Sequence, residues 1–103
     1  MKESNLVADT TGKFAFVIDQ SDNVAVALTD LDAGETCTVR IDEKVETIQV
    51  LEDVKFGHKI ALSDLSKDDP VYKYGEVIGK MKEGIQKGSW IHSHNMYCER
   101  GLK

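Results

Sequence analysis

The chain has 103 residues, a length that fits one domain with a modest core. Its formal net charge of −5 argues against a nucleic-acid surface, which needs clustered lysine and arginine, and mildly against capture of an acidic substrate by this chain alone. The start lacks a signal-peptide core and no apolar run nears the roughly 20 residues that cross a membrane, so we expect a cytoplasmic protein without membrane contact.

Short apolar runs between polar turns predict a mainly β fold. Residues 1–12 are polar and irregular and indicate a flexible lead-in. The first predicted strands cover residues 14–18, 24–28, 36–41 and 46–51, the last two as a hairpin around a turn at 42–44. No window holds a helical period beyond one or two turns.

A weak internal repeat has an apolar residue, then Gly or Asp three residues on, then a second apolar residue after three more. Its copies are Leu31/Gly34/Cys37, Val54/Gly57/Ile60, Leu65/Asp68/Val71 and Ile85/Gly88/Ile91. The pattern predicts a turn with positive φ at its Gly or Asp, often after a single helical turn. Each turn would lead into a short strand, as at 60–62, 71–74 and 90–92. Chance matches to so loose a pattern remain an alternative.

The segment 88–96 places two imidazoles and a carboxamide within four residues. If the segment is extended, His92 and His94 project from the same side with Cβ atoms about 7 Å apart. Both rings would then reach one metal ion or one polyhydroxy ligand. Asn95 would point the other way or end the strand.

Three polar clusters follow the predicted corners, at 57–59, 72–75 and 92–95. If the corners meet in space, these clusters line one site, in which His58 acts as a third metal ligand or general base and Lys59 or Lys73 meets a carboxylate. The plainer interpretation is a solvated His58–Lys59 pair and two packed tyrosines. An isolated HxH pair also lacks the three or four ligands of a zinc site.

Other chemistries have less support. The sequence contains no GxSxG, no phosphate-binding glycine loop and no GxGxxG motif. Cys37 and Cys98 form no CxxC pair; one disulfide is possible, but we expect reduced thiols.

An ordered set of segments resembles the SAF domain of altronate and galactarate dehydratases over about residues 14–96. The segments are 21–28 with 31–35, 57–62, 71–75 with 78–79, and 88–95. The resemblance implies a small β-clip fold, as in antifreeze-like domains, with one-turn helices at the corners. It divides the chain into a lead-in at 1–12, the SAF domain at 13–97 and a polar tail at 98–103.

The family resemblance also implies a function. In the dehydratases this module precedes a large domain, and in sulfolactate sulfo-lyases the two parts are separate chains. We therefore expect the small subunit or N-terminal domain of a carbohydrate-acid hydro-lyase, inactive without its large partner. Such enzymes dehydrate altronate-like or galactarate-like acids to 2-keto-3-deoxy acids. The alternative function is a non-catalytic module that binds a sugar acid or a partner protein. A third hypothesis is a stand-alone metal-binding protein. With any of these functions, the chain could form a homo-oligomer.

The resemblance implies divalent iron or manganese, shared with the large part. His92 and His94 are the expected metal ligands and catalytic residues, with His58 as a further catalytic residue. The expected substrate or interface contacts are Lys59, Lys73, Tyr74 and Asn95.

Overall fold

The computed structural model describes residues 13–41 and 44–98, which form nine β-strands and no helix. The strands are β1 Lys13–Phe16, β2 Val24–Ala27, β3 Thr36–Ile41, β4 Lys44–Gln49, β5 Lys59–Ala61, β6 Pro70–Lys73, β7 Glu76–Met81, β8 Trp90–Ile91 and β9 Met96–Tyr97. The mainly β prediction is confirmed. The expected one-turn helices are wrong for the described corners, which are β-turns. The predicted lead-in, residues 42–43 of the hairpin turn and 99–103 of the tail lie outside the described residues.

Two sheets share the strands. The six-stranded sheet has the order β4-β3-β1-β2-β5-β8, and the three-stranded sheet has the order β6-β7-β9. β1 and β3 are parallel, and every other pair is antiparallel. All seven predicted strands are present within two residues of their expected bounds. The sequence did not predict β7, whose interior contains Gly79, or the two-residue β9.

The core has two parts, and β2 contributes to both because successive side chains of a strand face opposite sides. Ala25 and Ala27 point into the first cluster, with Val39, Ile48 and Ile60. The opposite face of β2 presents Val24 to a second cluster, which also contains the following buried residues: Ala61, Leu65, Val71, Met81 and Ile91. The small sheet therefore covers one end of the second face of the large sheet.

All four repeat copies form the predicted turn. The residue at the Gly or Asp position has a φ of 93° at Gly34, 85° at Gly57, 71° at Asp68 and 94° at Gly88. In each turn the next N–H donates to the carbonyl three residues earlier, at 2.9–3.1 Å. Positive φ at the third residue together with this hydrogen bond is typical of a type II turn. The internal repeat is thus confirmed as a structural unit.

The four corners associate in two pairs. Leu31 pairs with Val54 and Leu65 pairs with Ile85, each through two backbone hydrogen bonds of 2.7–2.9 Å. The residue before the apolar position is aspartate in three copies, and its carboxylate accepts a hydrogen bond from a turn N–H of the facing corner. These bonds join Asp30 to Phe56, Asp53 to Ala33 and Asp64 to Lys87, at 2.8–2.9 Å. The fourth copy has Gly84 at this position.

Candidate functional site

Three histidines and a tryptophan form a cluster of rings, hereafter the His–Trp cluster (His58, Trp90, His92 and His94). His58 ends the corner that leads into β5, and Trp90 begins the neighbouring strand β8. The His58 and His92 rings are parallel within 7°, with centroids 4.6 Å apart. Trp90 lies 5.8 Å from His58, 5.7 Å from His92 and 4.4 Å from His94. The long-range pairing of β5 with β8 therefore joins His58 to the C-terminal histidines.

The segment after β8 is a turn, so the expectation of an extended segment is wrong. The strand ends at Ile91, and the N–H groups of Asn95 and Met96 both donate to the carbonyl of His92, at 3.0 and 2.9 Å. The turn separates the environments of the two imidazoles. His92 stacks on His58, whereas His94 packs against Trp90 and is exposed.

Asn95 holds this turn from inside. Its side chain is only 2% exposed. The carboxamide oxygen accepts a hydrogen bond from the His92 N–H at 3.0 Å, and the carboxamide nitrogen donates to the Trp90 carbonyl at 2.9 Å. Both ends of the amide are therefore bonded to the backbone that carries the two rings. The hydrogen-bonding pattern predicts a positioning role more directly than the substrate contact expected from the sequence.

Trp90 fixes the orientation of His58. Its indole Nε1–H donates to Nδ1 of His58 at 3.1 Å. This contact requires Nδ1 to be unprotonated, which leaves the ring proton on Nε2. The sequence did not predict this contact, because only the pairing of β5 with β8 brings the two side chains together.

The described residues do not fit a metal centre of their own. Among these residues, no three or more His, Cys, Asp or Glu side chains lie close enough together to hold a metal ion. Imidazole lone pairs lie in the ring plane, so the parallel rings of His58 and His92 cannot aim at one point between them. Nδ1 of His58 is also already engaged by Trp90.

Lys59 links the His–Trp cluster to the expected second group of contacts. It lies in β5 between Val26 of β2 and Ile91 of β8, and it is half-buried. Burial, and then the nearby ammonium of Lys73, lower the pKa of Lys59. Burial, followed by His58, Lys59 and His94, lowers the pKa of His92. Lys59 is therefore near enough to both Lys73 and His92 for their charges to interact, although its side chain leaves β5 on the face opposite His58.

A tight hairpin turn places Lys73 and Tyr74. Tyr74 and Gly75 have φ angles of 61° and 76°, as in the type I′ turns that join antiparallel strands. Asp22, which is 8% exposed, accepts hydrogen bonds from the N–H groups of Tyr74 and Gly75 at 3.2 and 2.8 Å. The Tyr74 ring is exposed, and the Lys73 ammonium lies 5.0 Å from its centroid. Sequence reasoning missed Asp22, although the SDN segment was part of the resemblance.

Four apolar residues lie together on the part of the large sheet that the small sheet leaves uncovered, and we call them the open face (Phe14, Phe16, Val26 and Leu28). Phe16 pairs with Val26, and Val26 pairs with Lys59, so these side chains share one side of the sheet. Phe16 is 46% exposed and Leu28 is 52% exposed. The open face therefore adjoins Lys59.

Comparison with known proteins identifies similar sequences. Residues 13–99 match the family model described as the altronate/galactarate dehydratase SAF domain. The altronate dehydratase of Bacillus subtilis is 41% identical over 78 residues, which cover 76% of this chain and 15% of that protein. The altronate dehydratase of Escherichia coli is 45% identical over 74 residues, or 72% of this chain and 14% of that protein.

A second kind of relative is short. The (2R)-sulfolactate sulfo-lyase subunit alpha of Chromohalobacter salexigens is 32% identical over 89 residues, which cover 82% of this chain and 95% of that subunit. The chain thus spans about one-seventh of the dehydratases but nearly all of the subunit. The subunit name implies a complex of several chains. Within the described residues, no helix is long and apolar enough to span a membrane.

Proposed function

The chain belongs to the altronate/galactarate dehydratase SAF domain family, and on that premise we propose that it is the small subunit or N-terminal domain of a carbohydrate-acid hydro-lyase. Its large catalytic part would be a second chain or a following domain. The substrate would be an altronate-like or galactarate-like acid, from which a proton leaves C2 and the hydroxyl leaves C3 as water. The resulting enol tautomerises to a 2-keto-3-deoxy acid.

The observation that carries this proposal is the stack of His58 on His92, with His94 beside Trp90 and the charge of Lys59 near His92. A dehydration needs a base, an acid and positive groups that stabilise the developing enediolate. These residues supply imidazoles and ammonium groups together. A module with a purely structural role has no need of such a set.

We assign proton transfer to the stacked histidines. The lowered pKa of His92 favours the unprotonated imidazole, the state that accepts a proton from C2. His58 presents Nε2–H as a donor to a substrate oxygen, because Trp90 occupies Nδ1. Asn95 positions His92 and the backbone of Trp90. Tyr74 and Lys73 contact the substrate or the large part.

A divalent iron or manganese ion, if this enzyme uses one, would take most of its ligands from the large part. The parallel stack favours a proton-transfer role for His92 over the metal-ligand role expected from the sequence. His94, which lies outside that stack, is the better candidate to complete such a site. Bound metal would supply positive charge to the enediolate.

We propose that the large part docks on the open face. Exposed Phe16 and Leu28 lie on the same side of the sheet as Lys59, so a partner seated there would also contact Lys59. Apolar groups of this size at a surface are typical of interfaces. We also propose a cytoplasmic location, in keeping with the reduced thiols expected from the sequence.

Reconstitution tests the function. The chain would be combined with the large part from the same source, with Fe²⁺ or Mn²⁺ supplied, and assayed for 2-keto acid formation from altronate, galactarate and sulfolactate. We expect turnover of a sugar acid by the complex, none by the chain alone, and loss of turnover in His92→Ala. Ser93→Ala, which changes an exposed side chain of the same turn, is the matched control. Full turnover by a His92→Ala complex would overturn the assignment of His92, whereas no turnover by the wild-type complex would favour the non-catalytic binding module.

A further inference from the structure

The turn between β6 and β7, hereafter the hairpin tip (Tyr74 and Gly75), carries a side chain that does not suit its backbone. Tyr74 has a φ of 61° at the first central position of a type I′ turn, where glycine, asparagine and aspartate are usual. Other side chains are strained in this left-handed region. The Tyr74 ring is 60% exposed, so the core does not require it. Strain that the fold does not need points to a function at the surface.

Asp22 fixes the backbone of the hairpin tip, and its carboxylate is nearly buried, at 8% exposed. Its Oδ1 accepts a hydrogen bond from the Gly75 N–H at 2.8 Å. Its Oδ2 accepts one from the Tyr74 N–H at 3.2 Å and one from the Asp19 N–H at 3.0 Å. A single carboxylate therefore joins the turn before β2 to a hairpin 52 and 53 positions further along the chain.

Asn23 holds the strand that leads into the hairpin tip. Its carboxamide oxygen accepts a hydrogen bond from the Tyr72 N–H at 2.8 Å, and its carboxamide nitrogen donates to the Pro70 carbonyl at 2.9 Å. The Asn23 N–H also donates to the Tyr72 carbonyl at 3.4 Å. These bonds fasten β6 to the start of β2 without Asp22, whose bonds to the hairpin go to the tip itself.

The glycine of the hairpin tip packs against the turn formed by residues 19–22. A Cβ at Gly75 would lie 3.3 Å from the carboxylate carbon of Asp19, and the φ of 76° also favours glycine. The Asp19 carboxylate accepts hydrogen bonds from the N–H and the hydroxyl of Ser21, which keep it in that turn. The hairpin tip is therefore held by hydrogen bonds at its N–H groups and by close packing at Gly75.

We propose that Asp22 is a positioning residue, which holds the hairpin tip in its left-handed conformation so that the exposed Tyr74 ring meets the large part in a preformed orientation. The identity of this partner rests on the proposed function. Exposed tyrosines are frequent anchors of protein interfaces, and a ring whose backbone is already fixed loses little conformational freedom on binding. The chain spans about one-seventh of its dehydratase relatives, so most of such an enzyme lies outside it.

Tyr74→Asn tests the anchor. Asparagine suits the left-handed position, so the melting temperature of the chain should stay the same or rise by a few degrees. The affinity for the large part, measured by titration of the chain into it, should nevertheless fall about tenfold or more. A variant that is no less stable but binds more weakly separates the role of the ring from that of the fold.

Asp22→Asn tests the positioning role. An amide can accept hydrogen bonds at one of the two oxygen positions, so at least one N–H of the hairpin tip loses its partner. In the isolated chain, hydrogen exchange at the Tyr74 or Gly75 amide should quicken about tenfold. Binding to the large part should weaken about fivefold in this variant. Asp69→Asn, which also removes a carboxylate bonded to a turn N–H, should leave binding unchanged.

The double variant separates positioning from general stability. If Asp22 acts through the ring, Asp22→Asn should weaken binding no further once Tyr74→Asn is present. A merely structural Asp22 would weaken binding by the same factor in both backgrounds, which would overturn the proposal. Unchanged exchange at both tip amides in Asp22→Asn would overturn it too, without reference to any activity.

Two further outcomes distinguish this proposal from the proposed function. If Tyr74→Asn raises only the KM for the acid and leaves the affinity for the large part unchanged, the ring meets the substrate; the anchor is then rejected and the lyase retained. If the variants weaken association as expected but the wild-type complex turns over no sugar acid, the positioning role is retained and the lyase is rejected.

Discussion

The indole Nε1–H of Trp90 donates a hydrogen bond to Nδ1 of His58 at 3.1 Å, across 32 positions of sequence. Trp90→Phe keeps an aromatic ring there but removes the donor. We expect His58 to change from the Nε2–H form to a mixture of both tautomers, and the protein to lose about 1 kcal/mol of unfolding free energy. Long-range ¹H–¹⁵N correlation spectra of the imidazoles measure the tautomer. An unchanged His58 pattern in Trp90→Phe would contradict the assignment.

The buried amide of Asn95 predicts a large effect on stability. Asn95→Leu keeps a similar volume but leaves the His92 N–H and the Trp90 carbonyl without their partner. We expect a loss of about 2–4 kcal/mol in the free energy of unfolding, because two backbone groups lose their hydrogen bonds. Ser93→Ala in the same turn should stay within about 0.5 kcal/mol. Urea denaturation compares the stabilities of Asn95→Leu and Ser93→Ala. Similar midpoints would show that the Asn95 amide contributes little to stability.

Two glycines with the same φ should respond differently to alanine. A Cβ at Gly34 meets nothing within 4 Å, whereas a Cβ at Gly88 would collide with the backbone carbonyl of Gln49. Gly34→Ala should lower the free energy of unfolding by about 1–2 kcal/mol, because alanine is strained at a positive φ. Gly88→Ala should cost about 1–3 kcal/mol more, because the neighbouring strand must move. Denaturant unfolding measures the free energy of unfolding of both variants. Equal losses would be inconsistent with the close packing at Gly88.

The corner symmetry predicts a stabilising substitution. Asp30, Asp53 and Asp64 each accept a hydrogen bond from the facing corner, and Gly84 occupies the fourth equivalent position. A Cβ at Gly84 would lie 3.5 Å from the Leu65 carbonyl, an ordinary contact. Gly84→Asp should therefore gain about 1 kcal/mol from a new bond to the Lys67 N–H and from lower chain entropy in the unfolded state.

Gly84→Ala separates the two contributions to that gain. It supplies the entropy effect alone, so we expect about half of the stabilisation. The melting temperatures of the two variants give the comparison. If Gly84→Asp is no more stable than Gly84→Ala, the fourth corner does not form the equivalent hydrogen bond.

The thiol of Cys37 predicts a pH dependence. Burial raises its pKa to about 11. Because the folded pKa exceeds the unfolded value of 9.0, the thiol's contribution is fully present below pH 9 and is lost as the pH rises through about 11. We expect Cys37→Ala to show a smaller loss of unfolding free energy between pH 8 and about 11 than the unchanged protein. Identical pH profiles would contradict this.

Alkylation gives an independent check of the same burial. Iodoacetamide at about pH 8 should modify the exposed Cys98 in the folded protein and Cys37 only after unfolding. Peptide mass spectrometry assigns the label. Modification of Cys37 at the rate of Cys98 would show that the first core cluster opens readily.

Local features of the sequence predicted the elements. Alternation and apolar runs gave seven strands, and the spacing of Leu31, Gly34 and Cys37 with its three copies gave the corners. Both signals act over a few residues: side chains alternate along a strand, and a positive φ favours glycine or aspartate at one position of a turn. β7 escaped prediction because Gly79 and two charged residues interrupt its apolar pattern.

The sequence by itself determined the mainly β class, the four corners and the family to which the ordered motifs belong. Only the tertiary structure decided that His58 stacks on His92, that Lys59 lies half-buried between two strands, and that Asn95 is buried within a turn. These relationships depend on the pairing of β5 with both β2 and β8, which joins segments distant in the chain. Strand order is set by how all the apolar faces are buried together, so no single segment encodes it.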